Sequence, residues 1–310
     1  MGQSDSPSRP SSPSRPSSPS SPPSTVHAHV GAARERLRHA GIEPDEADLD
    51  ARLLAEHVLG WDAARFFASA ADPEPVGFAT RFDSLVTRRA AREPVSYITG
   101  RHEFWGLSFE VSPAVLIPRP ETELIVEIAL EKLDTAAKGS HCDVADACTG
   151  TGCLAVVLAH ERPSSRFVAT DASDAALEVA RHNAVKHQVD RRIHFVRSDV
   201  LEDVDGPFDL IVANPPYVPD GDRATLQPEV RDYEPAIALF AGVDGLDVVR
   251  RLIQQAPPRL KRRGTLVFEI GFGQAEAVEQ LISASSDLKM VGLRRDLQGI
   301  PRTAVVERRT

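Results

Sequence analysis

Apolar residues recur at helical spacing through the first third of the chain and at strand spacing after it. Val30, Ala33, Leu37 and Ala40 make one face closed by Gly41, a rhythm that predicts a helix. Pro44 and Asp45 open a second helix, with Leu49, Leu53, Leu54, His57 and Val58 expected to face inward until Gly60. Phe66 and Phe67 mark a third, short one. Phe78, Phe82, Leu85 and Val86 mark a fourth that ends before Pro94. Residues 25–95 thus read as a small helical bundle without chemistry of its own, and its mixed, mildly acidic charge suits docking a partner.

The rhythm changes between 96 and 118. Tyr97, Ile98, Phe104, Trp105, Leu107, Phe109, Val111, Val115, Leu116 and Ile117 come in short runs broken by Gly100, Gly106 and Pro113, the pattern of a β-hairpin linker. So many aromatics in one place predict a wedge between two domains. From 119 to 310 apolar β runs alternate with helical segments. Helix 120–137, strand 142–147, helix 151–161, strand 166–170, helix 173–187 and strands 192–198 and 208–213 come first. After a long loop follow helix 245–259, strand 264–270, helix 274–285 and closing strands 288–295 and 302–308. Such alternation builds an α/β fold with a parallel sheet covered on both faces, and the two closing strands predict an antiparallel hairpin at one edge.

Composition narrows the possibilities. A length of 310 residues suits two folded units. Against 45 Asp and Glu there are 36 Lys and Arg, a net charge of −9, so no stable nucleic-acid binding is expected, although a local basic groove is not excluded. No run approaches the roughly 18 apolar residues of a membrane span, and no membrane association is expected. Cys142, Cys148 and Cys153 lie in one short segment and cannot all pair, which fits a reducing, cytoplasmic setting. Their spacing matches no usual zinc pattern, so no metal is expected. Residues 1–24 are almost entirely Ser and Pro, with SPSRPS at 6–11 and again at 12–17. That stretch reads as a disordered, partly polyproline tail. Gly2 with Ser6 formally matches an N-myristoylation pattern and Pro10 with Pro13 spells PxxP, both short enough to arise by chance.

Three constellations carry chemistry. Asp146-Ala-Cys148-Thr149-Gly150-Thr151-Gly152 runs from a strand into a helix, where glycines let a ligand approach the main chain and the helix N-terminus adds partial positive charge. Asp171 ends the next strand, placed to accept ribose hydroxyls. Asp199 follows the strand after that and could accept from an adenine amino group. The most specific motif is Asn214-Pro215-Pro216-Tyr217, directly after FDLIVA, at the mouth of the sheet toward which Asp146 and Asp171 also point. It suits methylation of a planar amino group. Such a nitrogen is a poor nucleophile because its lone pair is delocalised. The Asn214 oxygen and the Pro215 carbonyl can each take one N–H, aiming the lone pair at an electrophilic methyl, while Tyr217 stacks on the flat group. A protein amide and a nucleic-acid base amine fit this turn equally. Gly150-x-Gly152-x-x-Ala155 also satisfies the looser nicotinamide-dinucleotide fingerprint, and a non-enzymatic cofactor-binding scaffold is a further reading.

With these residues in hand the chain resembles the class I S-adenosylmethionine-dependent methyltransferases, and among them the HemK-type peptide chain release factor glutamine methyltransferases. PVSYITG at 94–100, EFWGL at 103–107 and VSPAVLIPRPETE at 111–123 are similar to that family's linker. VRDYEPAIAL at 230–239, FEIGFGQ at 268–274 and DLQGIPR at 296–302 are similar to its later blocks. The resemblance implies a seven-stranded Rossmann-like methyltransferase sheet over 119–310, preceded by a small all-α domain, with S-adenosyl-L-methionine as cofactor. It implies cofactor contacts from Cys148, Thr149, Gly150, Thr151, Gly152, Asp171, Asp199, Val200 and Asn214, and catalysis by Asn214, Pro215, Pro216 and Tyr217. The substrate would be the glutamine in the Gly-Gly-Gln loop of a release factor, with Arg119 and Glu123 shaping the same pocket; a monomer is expected. Cys148 stands where many methyltransferases carry their first glycine, so it is expected to manage without a positive φ.

Overall fold

The computed structural model describes residues 24–137 and 141–310. The predicted tail, with its lipidation and PxxP patterns, lies outside the described residues apart from Ser24. Four helices come first: α1 (Val26–His39), α2 (Pro44–Leu59), α3 (Ala63–Ser69) and α4 (Phe78–Ala90). Thr25 caps α1 by accepting from the Ala28 amide, and Gly60, at φ 63°, closes α2 in the left-handed region that glycine tolerates. The inward face of α2 differs from the expected one. Ala47, Asp50, Ala51, Leu54 and Ala55 are buried, whereas Leu49 is 45% exposed and His57 faces solvent. Small side chains let α2 approach α1 and α4 closely, and Asp50 enters the core because the guanidinium of Arg89 on α4 meets it at 2.5 Å.

A short helix, α5 (Val95–Thr99), occupies the first part of the predicted linker. The hairpin itself is β1 (Arg101–Phe104) and β2 (Leu107–Glu110), paired antiparallel. Its Phe104 and Phe109 are buried in the core beneath the main sheet. There follow α6 (Glu123–Ala137), β3 (Asp143–Ala147), α7 (Cys153–Glu161), β4 (Arg166–Asp171) and α8 (Asp174–Lys186). Asn183 of α8 is fully buried and ties down the hairpin, accepting from the Glu110 amide at 2.7 Å and donating to its carbonyl at 3.0 Å.

The chain then runs through β5 (Ile193–Arg197), β6 (Phe208–Ala213), α9 (Pro228–Tyr233) and α10 (Asp247–Arg259). It closes with β7 (Leu260–Glu269), α11 (Ala275–Ala284), β8 (Leu288–Arg295) and β9 (Pro301–Arg308). The seven strands from β3 onward order as β5-β4-β3-β6-β7-β9-β8. From β5 to β7 they are parallel, and β9 runs antiparallel to both β7 and β8. Near-continuous apolar runs such as FDLIVA in β6 suit strands covered on both faces. One cluster packs α6 and α7 under the sheet and another packs α10 and α11 over it. Parallel strands deliver their C-terminal ends, and the loops that follow them, to one edge.

Candidate active site

The loop from β3 into α7 turns through three left-handed residues: Cys148 at φ 59°, Gly150 at 52° and Gly152 at 79°. Cys148 therefore does adopt the positive φ that it was expected to avoid. The turn demands that conformation whatever occupies the position, and a side chain there costs about 1–2 kcal/mol. A β-carbon on Gly152 would sit 3.0 Å from the β-carbon of Ala180, so only glycine lets α7 and α8 approach. Beneath the loop lies Asp146, wholly buried rather than open at the mouth of the sheet. Its Oδ2 accepts from Thr149 Oγ1 at 2.6 Å and the Ala155 amide at 3.1 Å, while its Oδ1 has no partner among the described residues. Burial raises this carboxyl to about 7. Burial also raises the Cys148 thiol, with Asp171 and Asp146 adding to the effect, so the thiol stays protonated.

A cavity of about 310 Å³ opens above this loop. Cys148, Thr149, Gly150, Thr151, Asp171, Asp199, Val200 and Asn214 all line it, and apolar side chains such as Val115, Leu116 and Val248 form its walls. Gly152, at the N-cap of α7, is buried and does not reach its surface. Asp171 is fixed by the Gly150 amide on Oδ2 and the Ser173 amide on Oδ1, both at 2.9 Å, which leaves each oxygen a lone pair for a ligand. Burial raises its carboxyl against these amide bonds. Asp199 pairs with Arg251, another lining residue, at 3.3 Å. Val200 holds φ 57°, rare for a β-branched residue, and its carbonyl is anchored by the Thr170 hydroxyl at 2.5 Å.

A second cavity, of about 340 Å³, shares lining residues with the first. Arg119, Pro215, Tyr217, Leu226, Gln227 and Val230 are among its lining residues. Leu116, Asn214 and Ala238 belong to both cavities, while Pro216 lines the first and Pro215 and Tyr217 the second. The turn is braced from behind: Gln274 donates to the Tyr217 carbonyl at 3.0 Å and accepts from the Gly271 amide at 2.8 Å. Asn214 donates through Nδ2 to Thr122 Oγ1 at 2.9 Å, and Thr122 donates to Glu269 at 2.7 Å. Tyr217 donates to the other oxygen of Glu269 at 3.1 Å. Burial, then the neighbouring Glu269 carboxylate, raises the Tyr217 phenol, which stays neutral.

The structure brings the two motif sets together at one edge but separates the two linker residues. Arg119 lines the second cavity and pairs with Glu234 at 2.6 Å. Glu123 lines neither cavity: its carboxylate accepts from the Trp105 amide at 2.9 Å and caps the hairpin turn, where Trp105 holds φ 53°. Thr122, Glu269 and Arg251 were not singled out from sequence. A lone carboxylate inside the apolar run TLVFEI was the available signal for Glu269.

A sheet of this order, with a glycine-loop cavity and an NPPY turn at one edge, defines a Rossmann-like methyltransferase. The family model described as PrmC N-terminal domain matches residues 30–100, and the one described as Methyltransferase small domain matches 123–228. A release factor glutamine methyltransferase of Bradyrhizobium diazoefficiens is 44% identical over 86% of this chain and 89% of its own length. One of Cereibacter sphaeroides is 44% identical over 86% of this chain and 93% of its own. The chain belongs to the release factor glutamine methyltransferase family. The solved hMettl16 catalytic domain in complex with MAT2A 3'UTR hairpin 1 shares the fold, with a TM-score of 0.51 at 20% identity over 74% of this chain and 79% of that one.

Proposed function

We propose that the chain transfers a methyl group from S-adenosylmethionine to the side-chain amide nitrogen of the glutamine in the Gly-Gly-Gln loop of peptide chain release factors, in the cytoplasm. One observation carries the reading: Asn214 stands in the wall common to two cavities, so a methyl donor in the first faces an acceptor amide in the second. The first cavity suits the cofactor in size, in its apolar walls, and in the lone pairs that Asp171 keeps free for ribose hydroxyls. Asp199 and Val200 would border the adenine, and Cys148 to Thr151 the methionine end. Bound there, S-adenosylmethionine supplies an electrophilic methyl carbon on a sulfonium.

The chain's own residues do the positioning. Asn214 Oδ1 and the Pro215 carbonyl have no partner among the described residues, so both are available as acceptors for the two amide hydrogens. Holding these hydrogens in one plane turns the nitrogen lone pair out of it, toward the first cavity. Tyr217 offers a neutral ring for the flat amide to stack on. No strong base is needed, because the nitrogen gives its proton to solvent only after it has been alkylated. On this reading the helical part, 25–95, docks the release factor, and 96–118 links it to the catalytic part.

Incubation with labelled cofactor and purified release factor is expected to label the peptide that carries the glutamine. Label confined to nucleic acid would refute the assignment. Asn214→Ala is expected to bind cofactor normally by calorimetry and to lose roughly 100-fold in kcat; a variant of undiminished kcat would remove Asn214 from its role.

A further inference from the structure

The buried carboxylate at the end of β7 decides which atom of Asn214 faces the acceptor. Glu269 is 2% exposed and Thr122 1%. Both carboxylate oxygens of Glu269 receive hydroxyl hydrogens, from Tyr217 at 3.1 Å and from Thr122 at 2.7 Å. These two hydroxyl bonds favour the ionised form against the burial that raises the carboxyl; an ionised carboxylate can only accept, and a hydroxyl has one hydrogen to give. Thr122, having spent its hydrogen on Glu269, can only accept from Asn214, at 2.9 Å. The Asn214 amide must therefore turn Nδ2 toward Thr122, which leaves Oδ1, without a partner among the described residues, free to accept from the acceptor amide. Reversed, it would set Oδ1 against a Thr122 oxygen that has no hydrogen left to give.

We infer that Glu269 and Thr122 are positioning residues that set the polarity of Asn214, so that the acceptor amide meets an oxygen rather than an NH₂. The inference rests on the proposed methyl transfer to a glutamine amide. It extends the site to Thr122, in the wall of the first cavity, and to Glu269 behind it, which lines neither cavity. A glutamine at 269 could accept from only one of the two hydroxyls, so either Thr122 or Tyr217 would have to reverse, and either reversal falls on a group serving the acceptor cavity.

The test uses the full chain, S-adenosylmethionine and a purified release factor, with kcat, KM and cofactor affinity measured for each variant. Glu269→Gln and Thr122→Val are each expected to lower kcat by about 100-fold, with cofactor affinity changed less than about threefold. Thr122→Ser, which keeps the hydroxyl, is expected to recover most of what Thr122→Val loses. Because Thr122 acts through Asn214, Thr122→Val combined with Asn214→Ala is expected to be no slower than Asn214→Ala alone. A Thr122→Val enzyme of normal kcat, or a double variant whose losses multiply, would overturn the inference. If Glu269→Gln does not fold, the Thr122 series alone decides. Failure of the unaltered chain to label the release factor would instead strike the methyl-transfer reading, so the two failures are told apart.

Discussion

Replacing Asp146 by Asn probes a penalty built into the glycine-loop site. Burial lifts the Asp146 carboxyl from 3.8 to about 7, with the Thr149 hydroxyl and Ala155 amide opposing it. An acid whose folded-state value lies above its unfolded one holds more protons when folded. Its contribution to stability is therefore full below about 3.8 and is lost as the pH rises through about 7. At about 1.36 kcal/mol per unit, the loss approaches about 4 kcal/mol in mildly alkaline solution. An asparagine does not titrate. It keeps an oxygen for Thr149 and Ala155 but sets an NH₂ where Oδ1 already lacks a partner, a pH-independent cost of about 1–3 kcal/mol. Whatever that offset, the stability of Asp146→Asn relative to the unaltered chain should climb by about 4 kcal/mol between about pH 4 and pH 8. Urea unfolding across that range, extrapolated to water, measures it. Other buried carboxyls, Asp171 and Glu269 among them, contribute to the slope of both proteins, and the difference isolates Asp146. Parallel curves for the two proteins would refute the reasoning.

Two further outcomes follow from packing. Arg89, 1% exposed, meets Asp50 at 2.5 Å, Glu229 at 2.7 Å and Glu46 at 2.8 Å. Arg89→Ala is expected to lose about 3–5 kcal/mol in urea unfolding, because Asp50 keeps its burial and loses its counter-charge; a loss under about 1 kcal/mol would contradict it. Cys148→Gly relieves a left-handed side chain and is expected to gain up to about 1 kcal/mol, since glycine's extra unfolded-state freedom returns part of the strain. A lower melting temperature for that variant would show that the thiol's packing outweighs its backbone strain.

How far the sequence discloses the protein depends on what each signal measures. Strand and helix alternation from β3 to β9 was legible because continuous apolar runs leave few other arrangements, and the two closing strands pair antiparallel as expected. The NPPY and glycine-loop residues were legible because their chemistry and spacing are unusual. The inward face of α2 was not. Periodicity counts large apolar side chains, whereas this face is built from Ala47, Ala51 and Ala55 around a carboxylate neutralised by a distant arginine. Within the long loop, α9 is only six residues and contributes a single buried residue, Glu229, so no apolar stripe announces it. Glu269 and Thr122 were hidden for a similar reason: their role comes from bonds between residues 147 positions apart.

One feature of the fold bears on how the chain can be recombined. Arg89 and Arg92 both grip Glu229 of α9, and the Tyr233 hydroxyl donates to the Ala91 carbonyl at 2.7 Å, so the bundle holds the segment that borders the second cavity. A catalytic half spliced to a foreign bundle would inherit a carboxylate expecting two guanidinium partners. Unless the incoming helices offer them at the same places, that wall is left unbuttressed. Any hybrid of the two halves must therefore carry both sides of this ionic handshake.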